Sequence, residues 1–153
     1  MFQKLILPED ERERLLNELP YRFFFSNFSQ EEIALLLECA QPIDYMEEDL
    51  IFREGDIGVH FYVILRGKVN IYKENSGRLL ATLGPGKVFG EMAVLENQPR
   101  SATAVSVTRI DLLAIEGRRL MEEYPHLTVK LLHNLVRELT AKLREANLLI
   151  DSL

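Results

Sequence analysis

Short β-forming segments separated by glycine-containing turns fill residues 43–116, and no other feature of the sequence constrains the fold as strongly. Aliphatic and aromatic residues dominate the segments, and clusters such as Arg53–Gly58, Asn75–Gly77 and Gly84–Gly86 separate them. Short strands at this spacing predict a sandwich or a jelly roll, and they argue against a parallel α/β sheet. The predicted strands are Leu50–Phe52, Phe61–Leu65, Val69–Tyr72, Arg78–Leu83, Ser101–Val107 and Ile110–Ile115.

Residues 1–42 are predicted to be helical. A leucine stripe on a charged background predicts one helix from Glu9 to Leu19. The capping box Ser29–Glu32 predicts the start of a second helix through the apolar run Ile33–Ala40, and Pro42 is expected to end it. Four phenylalanines are interpreted as a hydrophobic staple and core cluster rather than a ligand platform: Phe23, Phe24, Phe25 and Phe28.

The last third of the chain, from Arg118, returns to a helical pattern, and Tyr124-Pro125 marks a break between a short helix and a long one. One apolar set on the long helix repeats about every 3.5 residues, the period of a coiled-coil seam; docking on the β core is the alternative interpretation. The seam residues are Val129, Leu132, Val136, Leu139, Leu143, Ala146 and Ile150. A second set is expected to dock on the core: Leu131, Leu135 and Leu149. Two stripes predict a helix between its own core and a partner.

The chain of 153 residues has the length of about one domain, and its 47% apolar and 27% charged residues exclude extended disorder. The longest apolar runs fall far short of the roughly 18–20 residues that a membrane span needs. A formal net charge of −6 argues against binding of a nucleic-acid backbone by this chain alone. Cys39 has no cysteine partner and the N-terminus has no secretory signal, so the cytoplasm is the expected location. A complete protein and a fragment of a larger one both fit these figures.

Chemistry typical of an enzyme or a metal site does not stand out in the sequence. Three scattered histidines are interpreted as surface or cap residues rather than metal ligands: His60, His126 and His133. Gly67-Lys68 and Gly86-Lys87 are each followed by valine, so neither belongs to a Walker-type phosphate loop. No serine lies in a Gly-x-Ser-x-Gly elbow. We therefore expect neither catalysis nor a metal or other resident cofactor.

The segment Phe89–Ala104 carries the strongest functional signal. Gly84–Gly86 predicts a tight turn ahead of it, and Gly90 permits an unusual backbone conformation or a close ligand approach. Glu91–Leu95 is predicted to form one helical turn whose free N–H groups suit an anion. Pro99-Arg100 is expected to begin the next strand.

Arg100 beside a short helical N-terminus fits one phosphate group, whereas a carboxylate such as Glu91 is normally a poor phosphate neighbour. The carboxylate makes sense if it accepts hydrogen bonds from a sugar hydroxyl, as acidic residues do for ribose in dinucleotide folds. Phosphate and ribose sites on one short segment predict a nucleotide with a single phosphate. The alternative is an ordinary ion pair between Glu91 and Arg100 across a turn.

A wider set of residues matches one known pattern: Glu91, Ala93, Pro99, Arg100 and Ala102, with Ile51–Asp56, Phe61–Ile64, Gly67, Gly84, Gly86 and Phe25–Glu31. Together they closely resemble cyclic-nucleotide-binding domains of kinase regulatory subunits, bacterial catabolite-activator proteins and nucleotide-gated channels. The resemblance covers about residues 20–150 and places a phosphate-binding cassette at 89–104. It implies a single mainly β domain over 1–153, an antiparallel jelly roll (double-stranded β-helix) at 43–116 with N-terminal helices at 1–42. Residues 117–153 would form C-terminal lid or dimerisation helices.

The resemblance implies that Glu91 accepts from the ribose 2′-hydroxyl and that Arg100 pairs with the exocyclic oxygens of a cyclic phosphate. Backbone N–H groups of Met92, Ala93 and Ser101, with the Ser101 hydroxyl, would complete the anion cradle. The remaining implied site residues are Ile71 and Leu83, which would face the base, and Gly90 and Ala102. The long helix would move as a lid when the ligand binds, which is the switching mechanism of the family.

Bacterial activators of this family carry a Thr-Ser pair on the long helix that reads adenine, and Lys142-Leu143 stands there in this sequence, with Thr140 nearby. Ser101 favours cyclic AMP over cyclic GMP, because a threonine after the arginine often accompanies guanine recognition in the family. No winged helix-turn-helix, kinase or channel domain appears in this sequence.

The expected function is therefore a cyclic-nucleotide-binding regulatory module in signal transduction. It would work through its C-terminal helix and form a parallel homodimer over Val129–Ile150. One alternative is a dimerising interaction module that has lost nucleotide binding or binds another small anion. The other is the sensor fragment of a transcription regulator without its DNA-binding domain.

Overall fold

The computed structural model describes residues 7–153, apart from the side chains of Tyr21 and Phe23. In this part of the chain two four-stranded sheets are flanked by helices. The helices are α1 (Glu9–Glu18), α2 (Gln30–Glu38), α3 (Glu91–Glu96), α4 (Gly117–Glu123) and α5 (Pro125–Asp151). The strands are β1 (Ala40–Tyr45), β2 (Leu50–Phe52), β3 (His60–Arg66), β4 (Val69–Tyr72), β5 (Leu79–Leu83), β6 (Val88–Phe89), β7 (Thr103–Ser106) and β8 (Ile110–Glu116). Short 3-10 turns at Leu19–Tyr21 and Phe23–Phe25 follow α1.

The two sheets have the strand orders β1-β8-β3-β6 and β2-β7-β4-β5. All their pairings are antiparallel, and most neighbours are distant in the chain. This arrangement is the antiparallel jelly roll with flanking helices that the sequence predicted, so the predicted fold is confirmed.

Side chains of the first sheet alternate between two hydrophobic cores, because successive residues of a strand point to opposite faces. The residues of β3 and β8 that lie in the core between the sheets are Tyr62, Ile64, Ile110, Leu112 and Ala114. The residues that pack with the helices are Phe61, Val63, Leu113 and Ile115. Phe89 of β6 joins the core between the sheets and places the start of the cassette beside it.

Strand β1 corrects the prediction that the second helix reaches Ala40 and ends at Pro42. Helix α2 ends at Glu38, and the following Cys39 is its buried C-terminal cap. Pro42 lies inside β1, opposite Leu113 of β8. Because β1 is at the edge of its sheet, a residue without an N–H group is tolerated there.

All six predicted strands are present. Those at Leu50–Phe52 and Val69–Tyr72 have the predicted bounds, and the remaining four differ by one or two residues at one or both ends. Strand β6 has two residues and was not predicted, because a pair of apolar residues carries no alternation signal.

The N-terminal helices follow their local sequence signals. The Ser29 side chain accepts from the Glu32 N–H over 3.1 Å, and the Glu32 carboxylate accepts from the Ser29 N–H over 3.1 Å, so the predicted capping box is present. Phe24, Phe25 and Phe28 are buried with their rings edge to face, as the core interpretation requires. The Phe23 side chain lies outside the described residues.

Helix α5 begins at Pro125, directly after the predicted break at Tyr124. Its first half docks on the domain through buried Leu127 and Leu131. The side chain of Asn134, which is 1% exposed, donates to the Phe24 carbonyl over 2.5 Å.

The second half of α5 leaves the body of the domain, because every residue from 139 onward is exposed. The docking prediction is confirmed for Leu131 and Leu135, which pack on the core. It is wrong for Leu149, which is 68% exposed, because the β core does not reach that far along the helix. No helix among residues 7–153 is long and apolar enough to cross a bilayer.

Candidate functional site

The cassette begins where β6 gives way to α3. Gly90 has a φ of 79°, a left-handed conformation that glycine adopts without steric cost, so the unusual backbone predicted there is confirmed. Helix α3 then runs from Glu91 to Glu96, one residue longer than the predicted turn. Asn97 ends it, also in a left-handed conformation with φ of 52°.

The guanidinium of Arg100 lies inside the protein, and the residue is 4% exposed. One terminal nitrogen donates to the Gly90 carbonyl and the other to the His60 carbonyl, each over 2.6 Å. The ring of Phe52 lies 4.3 Å below the guanidinium carbon, within the range of a cation–π contact. The Nε atom of Arg100 is buried and has no acceptor among the described residues. The two carbonyls and the ring therefore hold a buried cation, and its Nε–H has no partner among the described residues.

The backbone of Arg100 is fixed by the turn between β2 and β3. Its N–H donates to the Asp56 carbonyl over 2.8 Å, and its carbonyl accepts from the Gly55 N–H over 2.8 Å. Strand β7 begins later, at Thr103, so the prediction that Pro99-Arg100 opens the strand is wrong. The turn holds Arg100 away from the sheet ladder and orients its side chain toward β3 and β6.

Gly58 makes room for the Arg100 guanidinium. A Cβ atom on Gly58 would overlap the guanidinium, whereas one on Gly84 would meet open space. Gly58 was predicted only as part of a turn cluster, with no part in the site, because its contact with Arg100 is not visible in the sequence. In the structure Gly58 is not in the left-handed conformation, so the close approach explains this glycine better than turn geometry does.

Three aromatic rings pack against one another beside the Arg100 guanidinium, between the two sheets. Tyr62 and Phe89 stack with ring centroids 5.2 Å apart, and Phe52 lies 6.1 Å from Tyr62. Burial raises the pKa of Tyr62, and the nearby Arg100 charge lowers it in part. The rings keep the guanidinium in a poorly hydrated environment, where its interaction with an anion is stronger than in water.

Glu91 is the acidic counterpart of Arg100, but the guanidinium donates to two backbone carbonyls instead of to its carboxylate. The alternative of an ordinary Glu91–Arg100 ion pair is therefore wrong. Burial raises the pKa of Glu91, while its own backbone N–H and the charges of Lys142 and Arg100 lower it in part. Glu138 raises the pKa further. Helix α5, which carries Glu138 and Lys142, thus lies within electrostatic reach of the cassette.

The remaining predicted site residues divide into three groups. Ile71 and Leu83 are half-buried and pack against the core that contains Tyr62 and Phe89. Small buried residues flank the two charged groups, Ala93 in α3 and Ala102 after Ser101. The Met92 side chain is 54% exposed, and Ser101 is exposed.

A narrow apolar cavity lies beside the cassette, between α3, α4 and α5. Glu91 and Val94 of α3 line it together with Leu120 of α4 and Leu135 of α5. The Val94 side chain fills the space where a side chain at Gly117 would be. The cassette therefore packs directly against α4 and shares a cavity with α5.

Of the three histidines, only His60 takes part in this site, through its carbonyl, and His126 and His133 are exposed on α5. No cluster of three potential metal ligands occurs among residues 7–153.

Comparison with known proteins agrees with this geometry. The profile of the cyclic nucleotide-binding domain family matches residues 42–124. A cyclic AMP receptor protein of Thermus thermophilus is 39% identical over 84% of this chain and 61% of its own length. A cGMP-dependent protein kinase of Drosophila melanogaster is 36% identical over 75% of this chain and 10% of its own length. A cyclic nucleotide-binding domain from Methylobacillus flagellatus superposes with a TM-score of 0.74 at 31% identity, covering 89% of this chain and 80% of that structure.

The chain belongs to the cyclic nucleotide-binding domain family. It spans about three fifths of the bacterial receptor protein and a tenth of the kinase. The shared part is the regulatory domain, which contains the jelly roll and the cassette.

Replacing Gly58 with alanine should expel the Arg100 guanidinium from its place against the turn. Overpacking of this kind costs about 1–3 kcal/mol of the free energy of unfolding. The matched control is Gly84→Ala, which adds the same atom in open space and should change stability by less than about 0.5 kcal/mol. Urea unfolding of both variants measures the difference, and equal stabilities would contradict the tight approach.

Replacing Glu91 with glutamine should stabilise the ligand-free protein at pH 7 more than at pH 4. The folded state raises the pKa of Glu91 above its ordinary 4.5, so the folded state holds its proton more strongly than the unfolded chain does. Stability from this group is therefore lost as the pH rises through the folded pKa, and glutamine removes that loss. Thermal unfolding at both pH values is the measurement, with Glu96→Gln as the exposed control on α3. A larger gain at pH 4 than at pH 7 would reverse the sign and contradict the burial of the carboxylate.

Proposed function

We propose that this chain binds a cyclic purine mononucleotide at the cassette 89–104 and acts as a regulatory module. The observation that carries the proposal is the buried Arg100 guanidinium, whose Nε atom has no acceptor among the described residues. A buried unpaired donor on a cation costs about 1–3 kcal/mol or more, and an anionic oxygen removes that cost. The family and the near placement of Glu91 support a phosphate that is joined to a ribose.

Each cassette residue has a distinct part in the proposed complex. Arg100 pairs with the exocyclic oxygens of the cyclic phosphate, and Glu91 accepts from the ribose 2′-hydroxyl. The backbone N–H groups of Met92, Ala93 and Ser101, with the Ser101 hydroxyl, complete the cradle. Glu91 suits the ribose because its carboxylate is partly withdrawn from water, where a hydrogen bond from a hydroxyl is stronger than at a fully hydrated surface.

The base lies against Ile71 and Leu83 in the proposed complex. Both are half-buried against the core that contains Tyr62 and Phe89, and neither carries a polar group that would distinguish adenine from guanine. Ser101 favours cyclic AMP, since serine follows the arginine in adenine-binding bacterial relatives. The receptor protein of Thermus thermophilus is named for cyclic AMP and the Drosophila melanogaster kinase for cyclic GMP, so the affinity of this chain has to be measured with both nucleotides.

We infer that α5 relays ligand binding. Leu135 of α5 and Glu91 line the same cavity, and the charges of Glu138 and Lys142 act on Glu91. A ligand that engages Glu91 changes its hydrogen bonding and charge environment, which shifts the preferred position of the helix. A module of this kind needs no catalytic group. In the same proposal residues 1–153 form one domain, with N-terminal helices at 1–42, the jelly roll at 43–116 and the C-terminal helices at 117–153.

We also propose that two chains associate in parallel through α5. Six of the seven seam residues are large and exposed in the single chain, among them Val136 at 60%, Leu139 at 56% and Leu143 at 65%. Contiguous exposed apolar surface of this extent is typical of an interaction site.

We propose a cytoplasmic location on the evidence of Cys39. Its free thiol is buried, with its pKa raised to about 11, and a reducing compartment suits such a cysteine.

Arg100→Ala should weaken binding of cyclic AMP by about ten- to a hundredfold, because charge-assisted contacts contribute about 1.5–3 kcal/mol. Titration calorimetry with cyclic AMP and cyclic GMP measures it. Arg109→Ala removes an arginine whose side chain is 67% exposed, and it should leave the affinity unchanged. Absence of heat and of a melting shift for the wild-type chain with millimolar concentrations of either nucleotide would end the sensor proposal. A tenfold preference for cyclic GMP would overturn the preference for cyclic AMP.

Leu139→Glu combined with Leu143→Glu should convert the dimer to a folded monomer, because four like charges would meet in the seam. Light scattering after size exclusion at micromolar concentration measures the mass, which for the wild type should be twice 17.7 kDa. Ala141→Glu with Leu148→Glu adds the same charges on the opposite face of the helix and should remain dimeric. A monomeric mass for the wild-type chain would show that the seam has no partner copy.

A further inference from the structure

The ammonium group of Lys73, at the end of β4, connects three separate segments. It donates to Oε1 of Glu54 over 2.9 Å and to the backbone carbonyl of Ser101 over 2.6 Å. The second oxygen of Glu54 accepts from the Glu74 N–H over 3.0 Å. Lys73 therefore ties the cassette to both the β2–β3 turn and the hairpin of β4 and β5.

The hydrogen bond from Lys73 to the Ser101 carbonyl also restrains the backbone next to Arg100. The N–H and carbonyl of Arg100 already bond to Asp56 and Gly55. The next carbonyl, that of Ser101, is the one that Lys73 holds. Because the peptide between Ser101 and Ala102 is planar, fixing its carbonyl also fixes the direction of the Ala102 N–H on the other side. Two consecutive residues of the cassette are thus held by two different segments, the β2–β3 turn and the end of β4.

We propose that Lys73 is a positioning residue of the ligand site, which orients Arg100 and Ser101 from outside the pocket without touching the nucleotide. The inference rests on the proposed function for its effect on affinity, but the ordering of the backbone does not depend on a ligand. Binding groups must be held within about half an ångström of the productive geometry, so loss of a hydrogen bond to the cassette lowers affinity. Lys73 was not predicted as a site residue, because a lysine at the end of a strand is ordinarily solvated.

The stability of the domain does not require this lysine. The side chains of Lys73 and Glu54 are 42% and 27% exposed, and partly exposed ion pairs contribute little to stability. A neighbouring pair offers a matched comparison. Arg53 and Glu74 lie 2.9 Å apart at the same hairpin, with side chains 58% and 40% exposed. The Arg53 pair makes no bond to the cassette, so the two pairs differ in the contact that the proposal concerns.

The test compares Lys73→Met with Arg53→Met, and Lys73→Arg serves as the conservative variant. In the ligand-free protein, hydrogen exchange of the Arg100 amide should become about fivefold faster in Lys73→Met. It should change less than twofold in Arg53→Met. Affinity for cyclic AMP, measured by calorimetry, should fall about fivefold in Lys73→Met and recover toward the wild-type value in Lys73→Arg.

A double-mutant cycle with Arg100→Ala separates positioning from general destabilisation. If Lys73 acts through the arginine, Lys73→Met should weaken binding less when Arg100 is already absent. Equal exchange of the Arg100 amide in Lys73→Met and Arg53→Met would overturn the proposal whether or not any nucleotide binds. Faster exchange with no nucleotide binding by the wild type would leave the positioning intact and refute the proposed function. Faster exchange with unchanged affinity in Lys73→Met would refute its role in the site.

Discussion

The buried Arg100 guanidinium is the interaction on which the organisation of this domain depends. Burial of a cation is costly unless hydrogen bonds and neighbouring charge compensate for lost hydration. Here the carbonyls of Gly90 and His60 and the ring of Phe52 provide the compensation. Gly58 leaves the required space, and the turn at Gly55 and Asp56 fixes the backbone. Residues from both sheets therefore contact the Arg100 side chain. The position of Arg100 in the cassette 89–104 thus depends on the packing of the two sheets.

The compensation is incomplete in the ligand-free chain. Arg100 keeps a buried Nε without an acceptor, and burial raises the pKa of Glu91 above its ordinary value. Two groups of opposite charge thus lie near each other without forming an ion pair. Local departures from full satisfaction of this kind are typical of functional sites. The proposed ligand, with one anionic group and one hydroxyl, would satisfy both, and the charges of Glu138 and Lys142 would couple that change to α5.

The sequence predicted the parts of this structure that depend on local pattern. The strands, the Ser29 capping box and the break at Tyr124 follow from periodicity and caps, and the cassette followed from family resemblance. What failed depends on tertiary context. Pro42 lies within a strand and does not end a helix, because the edge position of β1 tolerates a residue without an N–H group. Leu149 is exposed because the β core does not extend that far along α5. Gly58 and Lys73 were missed because each acts through a contact across 28 or more residues, which a single sequence does not display.

The Nε–H signal of Arg100, observed by nitrogen-edited nuclear magnetic resonance during titration with cyclic AMP, tests the central claim most directly. The Arg100→Lys variant, which lacks this group, identifies the signal. If the phosphate occupies the unused donor, the Nε proton should shift downfield and saturate with the ligand, because a charge-assisted hydrogen bond deshields it. A signal that stays in place at saturating cyclic AMP would show that Arg100 does not hold the phosphate and would contradict the account.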